Sequence, residues 1–202
     1  MSITLHQGDI PADLDLGSSI AVDTEAMGLN NHRDRLCLVQ LSSGDGSAHL
    51  VQFPNGYNAP NLKKVLADQS VEKLFHYARF DVAIIKKYLG VECTPLYCTK
   101  IASTLSRTYT DRHSLRELCR EILKFDMSKQ QQSSDWGADE LTTEQQQYAA
   151  NDVLYLHQLQ DKLTDMLKRE NRYDLAQKCF DFVMTRAELD LAGWIDIDIF
   201  AH

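Results

Sequence analysis

Short apolar runs and alternating patterns fill the first hundred residues, and longer repeats of three and four take over beyond them. Ser19–Val22 is a brief apolar run that leads into Asp23, as a buried strand does. Arg35–Leu41 and Ala48–Phe53 alternate, and the Ser42-Ser-Gly-Asp-Gly-Ser47 stretch between them has hairpin chemistry. These segments predict a three-stranded meander. After Pro60 the period lengthens, with Leu62, Val65 and Leu66 marking a short amphipathic helix. Val71–Phe75 returns to strand, Phe80–Leu89 reads as a helix closed at Gly90, and Leu96–Cys98 is a further short strand. Ser114, with Glu117 three residues on, has the spacing of a capping box for a helix carrying Leu115, Leu118 and Leu123. Thr143 is placed to cap the longest helix, from Glu144 to about Arg169, with a stripe of Ala149, Leu156, Leu159, Leu163 and Leu167. Strands followed by alternating helices and strands predict an α/β fold, a mixed sheet of five to six strands flanked by helices in a single domain with a helical C-terminal segment. The Gln130–Ser134 patch reads as a loop.

Composition narrows the class. The 202 residues, 44% hydrophobic and 25% charged, are enough for one sizeable core and exclude a disordered or fibrous chain. No run approaches the ~20 apolar residues of a membrane helix. Residues Met1–Ile10 lack the basic and apolar regions of a secretion signal. Five cysteines, an odd number with no C-x-x-C pair, are expected to be reduced, packed thiols of a cytoplasmic protein. A net charge of −8 argues at first against a nucleic-acid partner. Yet residues 1–129 balance 15 basic against 15 acidic side chains, and the excess lies in residues 130–202, with 6 against 14. Carboxylates that hold cations are no longer bare negative charge, so the total is no veto.

The candidate chemistry is acidic. Asp23-Thr-Glu25 closes a strand, and positions i and i+2 of a strand share a face. Roughly one such triplet is expected by chance in this composition, and an exposed strand-end pair is the competing reading. Asp81 falls in register with Ile85 and Tyr88 on an inward helical stripe, and Asp152 lies one turn from both Tyr148 and Leu156. Ionised carboxylates are rarely buried without a partner, and no basic residue recurs beside all of them. A divalent cation is the economical partner, since hard cations prefer carboxylate oxygen. The spacing Y-x-x-x-D occurs at Tyr77/Asp81 and at Tyr148/Asp152. Only the second pair sits on one continuous helix, so Tyr148 is the functional candidate and Tyr77 is expected to be a packed aromatic.

In these segments the chain resembles the ribonuclease D branch of the DEDD 3′–5′ exonucleases, from Ile20 to about Leu163. Asp23-Thr-Glu25 matches the first motif, His76 to Asp81 the second, and Tyr148 to Asp152 the third. Arg35-Leu-Cys-Leu-Val-Gln40, Thr99-Lys-Ile-Ala-Ser103 and Lys129-Gln-Gln-Gln-Ser-Ser-Asp-Trp136 are similar to the linking stretches. The histidine-using branch places its base five residues before the last Asp; Gln147 stands there, so the tyrosine subclass fits.

The resemblance implies an RNase H-like fold in which Asp23, Glu25, Asp81 and Asp152 hold two Mg²⁺ or Mn²⁺ ions, and Tyr148 orients or deprotonates the attacking water. Glu25 would also contact the terminal 3′-hydroxyl. Two ions ~4 Å apart serve both ends of an in-line displacement at phosphorus. Met27, Gly28 and Leu29 stand where related enzymes press apolar side chains on the terminal nucleotide, and Lys129 matches a lysine near the site. Arg116 and Arg120, one turn apart in the most basic stretch, are candidates for phosphate contact or for a solvated face. Trp136 either stacks on a base or packs its loop, with packing the default. His76 either lines the site or is a satisfied histidine under the sheet. The implied domain plan is an exonuclease domain over residues 1–170, with residues 171–202 a helix and tail packed on it and too short for the helical domains of longer ribonucleases D. The expected partner is a single-stranded nucleic-acid 3′ end, RNA before DNA, and no membrane. A DNA exonuclease of the Werner or proofreading kind, a non-catalytic binding module and a scaffold with a structural ion are the alternatives.

Overall fold

The computed structural model describes residues 2–127 and 134–202. Six strands form one mixed sheet: β1 (Ser2–Gln7), β2 (Ser19–Ala26), β3 (Leu36–Ser42), β4 (Ser47–Gln52), β5 (Glu72–Phe75) and β6 (Leu96–Cys98), in the spatial order β1-β4-β3-β2-β5-β6. The meander β2-β3-β4 is antiparallel, whereas β1 joins β4, and β5 and β6 extend from β2, in parallel. Two-sided burial explains the apolar run of β3, which lies wholly in the core. The edge strand β1 escapes the sequence pattern because only Ile3 and Leu5 are apolar and its residues are partly exposed.

Helices α1 (Pro60–Ala67), α2 (Ala78–Leu89) and α3 (Thr99–Ser106) follow the expected order. Gly90 closes α2 in the left-handed region, at φ 69°, where a side chain would be strained. The short α4 (Leu115–Leu118) widens into a π-type turn over Cys119–Leu123. Ser114 accepts from the Glu117 backbone, but the Glu117 carboxylate pairs with Arg120 instead of completing the box. The long helix expected from 144 to 169 is two helices, α5 (Thr143–Leu154) and α6 (Leu156–Arg169), separated by Tyr155 at φ −110° and ψ −3°. Thr142, not Thr143, is the cap, in a capping box with Gln145. The unbroken leucine stripe hides the joint: α5 lies on β2, β3 and β4, while α6 turns onto α3 and β5. The longest helix is α7 (Tyr173–Leu191), packed against α2.

Most buried side chains form one core between sheet and helices, and a smaller cluster of Cys37, Leu38, Leu50, Trp136, Leu141 and Ala149 fills the space under α5. All five cysteines are free thiols, four of them buried. No described helix is long and apolar enough to cross a membrane.

Buried Asp190 fastens α7 to α2. It accepts from Arg79 Nε at 2.5 Å and Nη2 at 2.8 Å, and from Arg186 Nη2 at 2.6 Å. Burial alone pushes its carboxyl up, but the bonds and charges of both guanidiniums outweigh this and hold it below the usual range. Removing one member of such a cluster strands the others. Asp190→Ala is expected to lower the unfolding free energy by about 3 kcal/mol in urea titrations at neutral pH. That deficit should shrink as pH falls below 3.8, where the wild-type carboxylate gains a proton on unfolding.

Candidate active site

Four acids converge from three elements. Asp23 and Glu25 project from the end of β2, Asp81 sits in the first turn of α2, and Asp152 in the middle of α5. A bulge at Glu25/Ala26 shifts the β2–β3 register by one residue just past the pair of acids, before the chain leaves the sheet in the loop that carries Met27. One carboxylate oxygen each from Asp23, Glu25 and Asp152 falls in a group whose members all lie within 4.8 Å of one another. Asp81 stands outside that trio but beside it; it is buried and accepts from the Thr24 hydroxyl at 2.6 Å.

The electrostatics follow from that crowding. Burial pushes the Asp23 carboxyl up to about 7, against a backbone hydrogen bond at Thr24 that pulls the other way. Burial raises Glu25 far above the ordinary carboxylate range, and the charges of Asp23, Asp152 and Asp81 add to it. Asp81 and Asp152 are raised by burial and then by Asp23. Without a cation the group relieves repulsion by keeping protons. A donor set made only of carboxylate oxygens suits hard divalent ions such as Mg²⁺ and Mn²⁺, and the trio fits one.

The acids form the floor of a cleft of about 800 Å³ that also contains Met27, Gly28, Leu29, His76, Arg116, Trp136 and Tyr148. Burial raises the Tyr148 phenol, and Asp152, Glu25 and Asp23 raise it further, so it keeps its proton at neutral pH. Trp136 is buried, its ring 6.0 Å from that of Tyr148, so packing beneath the cleft wall is its observed place. Burial, then the charges of Lys100 and His113, depress His76 to about 3, so it is neutral. The Thr99 hydroxyl donates to the Phe75 carbonyl and so accepts from His76 Nδ1 at 2.9 Å, which leaves Nε2 unprotonated. Met27 and Leu29 are exposed at the rim. A Cβ on Gly28 would collide with the Asp34 carboxylate, which accepts from the Asn30 backbone at 3.0 Å and shapes this loop.

Two expectations need correction, and a third falls outside the described residues. Arg120 does not share the cleft with Arg116; its guanidinium is taken up by Glu117 and Glu121, because the helix widens after Leu118. Tyr77 is not packed: it is half exposed at the cleft mouth, in the left-handed region at φ 67°, where the chain turns from β5 into α2 across His76 and Tyr77. Lys129 lies outside the described residues. Sequence reasoning also missed Lys100, whose Nζ lies 4.1 Å from the centroid of the Tyr77 ring and lines the same cleft. Its one signal was its place in the Thr99–Ser103 linking stretch.

An RNase H-like sheet in which β2, α2 and α5 bring acids together fits the 3′–5′ exonucleases. The chain belongs to that family, whose model matches residues 9–168. Among solved structures it is similar over its whole length to NrnC of Brucella melitensis bound to pGG, with 51% identity, a TM-score of 0.96 and 99% of that chain covered. The same protein with bound Mg²⁺ gives 50% identity and a TM-score of 0.95, with all of both chains covered. Among curated relatives, ribonuclease D of Acidiphilium cryptum is 30% identical over 155 residues, which are 77% of this chain and 39% of that protein. DNA polymerase I of Aquifex aeolicus is 33% identical over 146 residues, 72% of this chain and 24% of the polymerase. The chain thus spans less than half the length of either.

Two outcomes follow from the geometry. Carboxyls raised in the folded state stabilise it below pH 3.8 to 4.5, and that contribution is lost as pH rises toward about 7. Cations displace those protons, so the rise in Tm on adding Mg²⁺ or Mn²⁺ should grow between pH 5 and pH 8 (thermal melts, reversed by EDTA). Gly28→Ala should displace the Asp34-held loop and raise KM for a substrate about tenfold while the acids keep their metal affinity, read by steady-state kinetics beside metal titration.

Proposed function

We propose that the protein is a metal-dependent 3′–5′ exonuclease that hydrolyses single-stranded RNA from its 3′ end, short oligomers included, and releases 5′-mononucleotides. The observation that carries this reading is the group of half-buried, mutually repelling carboxylates at the floor of an open cleft beside Tyr148. Asp23, Glu25, Asp81 and Asp152 hold two Mg²⁺ or Mn²⁺ ions, which supply charge neutralisation at the scissile phosphate and at the leaving 3′-oxygen. Tyr148, protonated, orients the attacking water by hydrogen bonding. Glu25 also receives the terminal 3′-hydroxyl, and Met27 and Leu29 press on the terminal nucleotide. Lys100 and Arg116 are the cations that face phosphates from the cleft wall.

The size of the cleft supports short 3′ ends, since about 800 Å³ has room for a terminal nucleotide and its neighbour, not for a duplex. So does the full-length likeness to NrnC, a protein solved with pGG. We take residues 1–170 as the catalytic unit and 171–202 as an extension packed on it, in a protein whose free thiols suit the cytoplasm.

The test is hydrolysis of end-labelled RNA and DNA oligomers with Mg²⁺, Mn²⁺ or EDTA. The expected result is stepwise loss of 5′-mononucleotides from RNA that EDTA abolishes; preference for DNA would replace the RNA assignment. Asp23→Asn should reduce the rate at least 10³-fold while the far-ultraviolet spectrum stays unchanged, and Tyr148→Phe should reduce kcat about 10²-fold. Full metal-dependent activity in Asp23→Asn would overturn the proposal.

A further inference from the structure

Gln40, in the middle of β3, is wholly buried, and neither Nε2 nor Oε1 has a hydrogen-bond partner. A buried amide left unpaired costs its full desolvation, which an apolar residue of similar volume would avoid. Its position gives the amide meaning. Cross-strand partners share a face of the sheet, with Cβ atoms about 4.5–5.5 Å apart. Gln40 is the partner of Asp23 on one side and of Leu50 on the other. Leu38, two residues earlier, is the partner of Glu25 and packs with Leu50 and Ala149 of α5. Gln40 therefore shares its face with Asp23 and Glu25, under the helix that brings Asp152. On that face its nearest strand neighbours are Leu38, Leu50, Ser42 and Asp23, and the Ser42 hydroxyl is already engaged with the Ser47 carbonyl at 2.6 Å. Asp23 offers the acceptor that an amide N–H can use.

We propose that Gln40 is a positioning residue of the acid cluster: in the cation-loaded protein its side-chain amide, unpaired in this structure, donates to the Asp23 carboxylate oxygen turned away from the cation, directly or through one ordered water. The inference rests on the metal-centre reading of the four acids. Gln40 touches neither substrate nor cation; it fixes the rotamer of Asp23, the acid whose charge bears on each of the other three. Hydrogen-bond partners of this kind govern affinity at metal sites, and their loss costs 10- to 100-fold.

The experiment compares wild type with Gln40→Met, which preserves volume and removes the amide. The readouts are Tm of the metal-free protein and calorimetric titration with Mn²⁺. The expected result is a Tm equal to or above wild type, because an unpaired amide has gone, with Mn²⁺ affinity lowered 10- to 100-fold. A purely structural glutamine would change Tm and leave affinity alone, and that outcome overturns the proposal. Should Gln40→Met fail to fold, a crystal structure of Mn²⁺-loaded wild type decides. Nε2 within about 3.2 Å of an Asp23 oxygen, or of a water bound to it, upholds the role, and an amide turned to another partner overturns it. Wild-type protein that binds no Mn²⁺ would overturn the metal-centre reading along with it.

Discussion

Four carboxylates cannot be gathered in one partly desolvated place as bare anions, and the organisation of this chain follows from that constraint. Each acid lies on an element that the core holds firmly. Asp23 and Glu25 stand on the central strand β2, Asp81 on a helix that follows β5 after a two-residue turn, and Asp152 on a helix laid across three strands. Rigid elements prevent the acids from separating to relieve their repulsion, so relief must come from protons or from cations. Under the proposed function the answer is cations, which would supply the charge neutralisation that hydrolysis at phosphorus needs. The Thr24–Asp81 hydrogen bond ties strand to helix at the point where repulsion would otherwise part them.

Around that floor the wall is built from different materials. Met27 and Leu29 offer apolar surface, Lys100 and Arg116 positive charge, and Tyr148 a phenol whose raised pKa makes it a donor at neutral pH. Under the proposed function these would meet a terminal nucleotide, base and sugar against apolar side chains and phosphates against cations. The overall charge of −8 does not oppose this match, because the acids that matter most would be neutralised by metal while the surplus lies in the last third of the chain.

Much of this was legible in the sequence. The four acids and Tyr148 could be singled out from their shared faces and inward positions together with the family resemblance, and the fold brings them into one cleft. Strand β1 was missed because an edge strand needs few apolar residues, and the α5–α6 joint because a leucine stripe continues through a bend without a proline or glycine to mark it. Tyr77 was misread for another reason. A left-handed, non-glycine residue at a strand–helix junction has no sequence signature, so its exposure at the cleft mouth was invisible. Arg120 was lost to a local ion pair, and Lys100 was overlooked because one lysine on a helix carries no pattern.

Anomalous diffraction from crystals soaked in Mn²⁺ tests the central claim most directly, since it locates the cations rather than inferring them. Two peaks about 4 Å apart are expected between Asp23, Glu25, Asp81 and Asp152. No peak there at saturating Mn²⁺, or peaks only elsewhere on the surface, would contradict it.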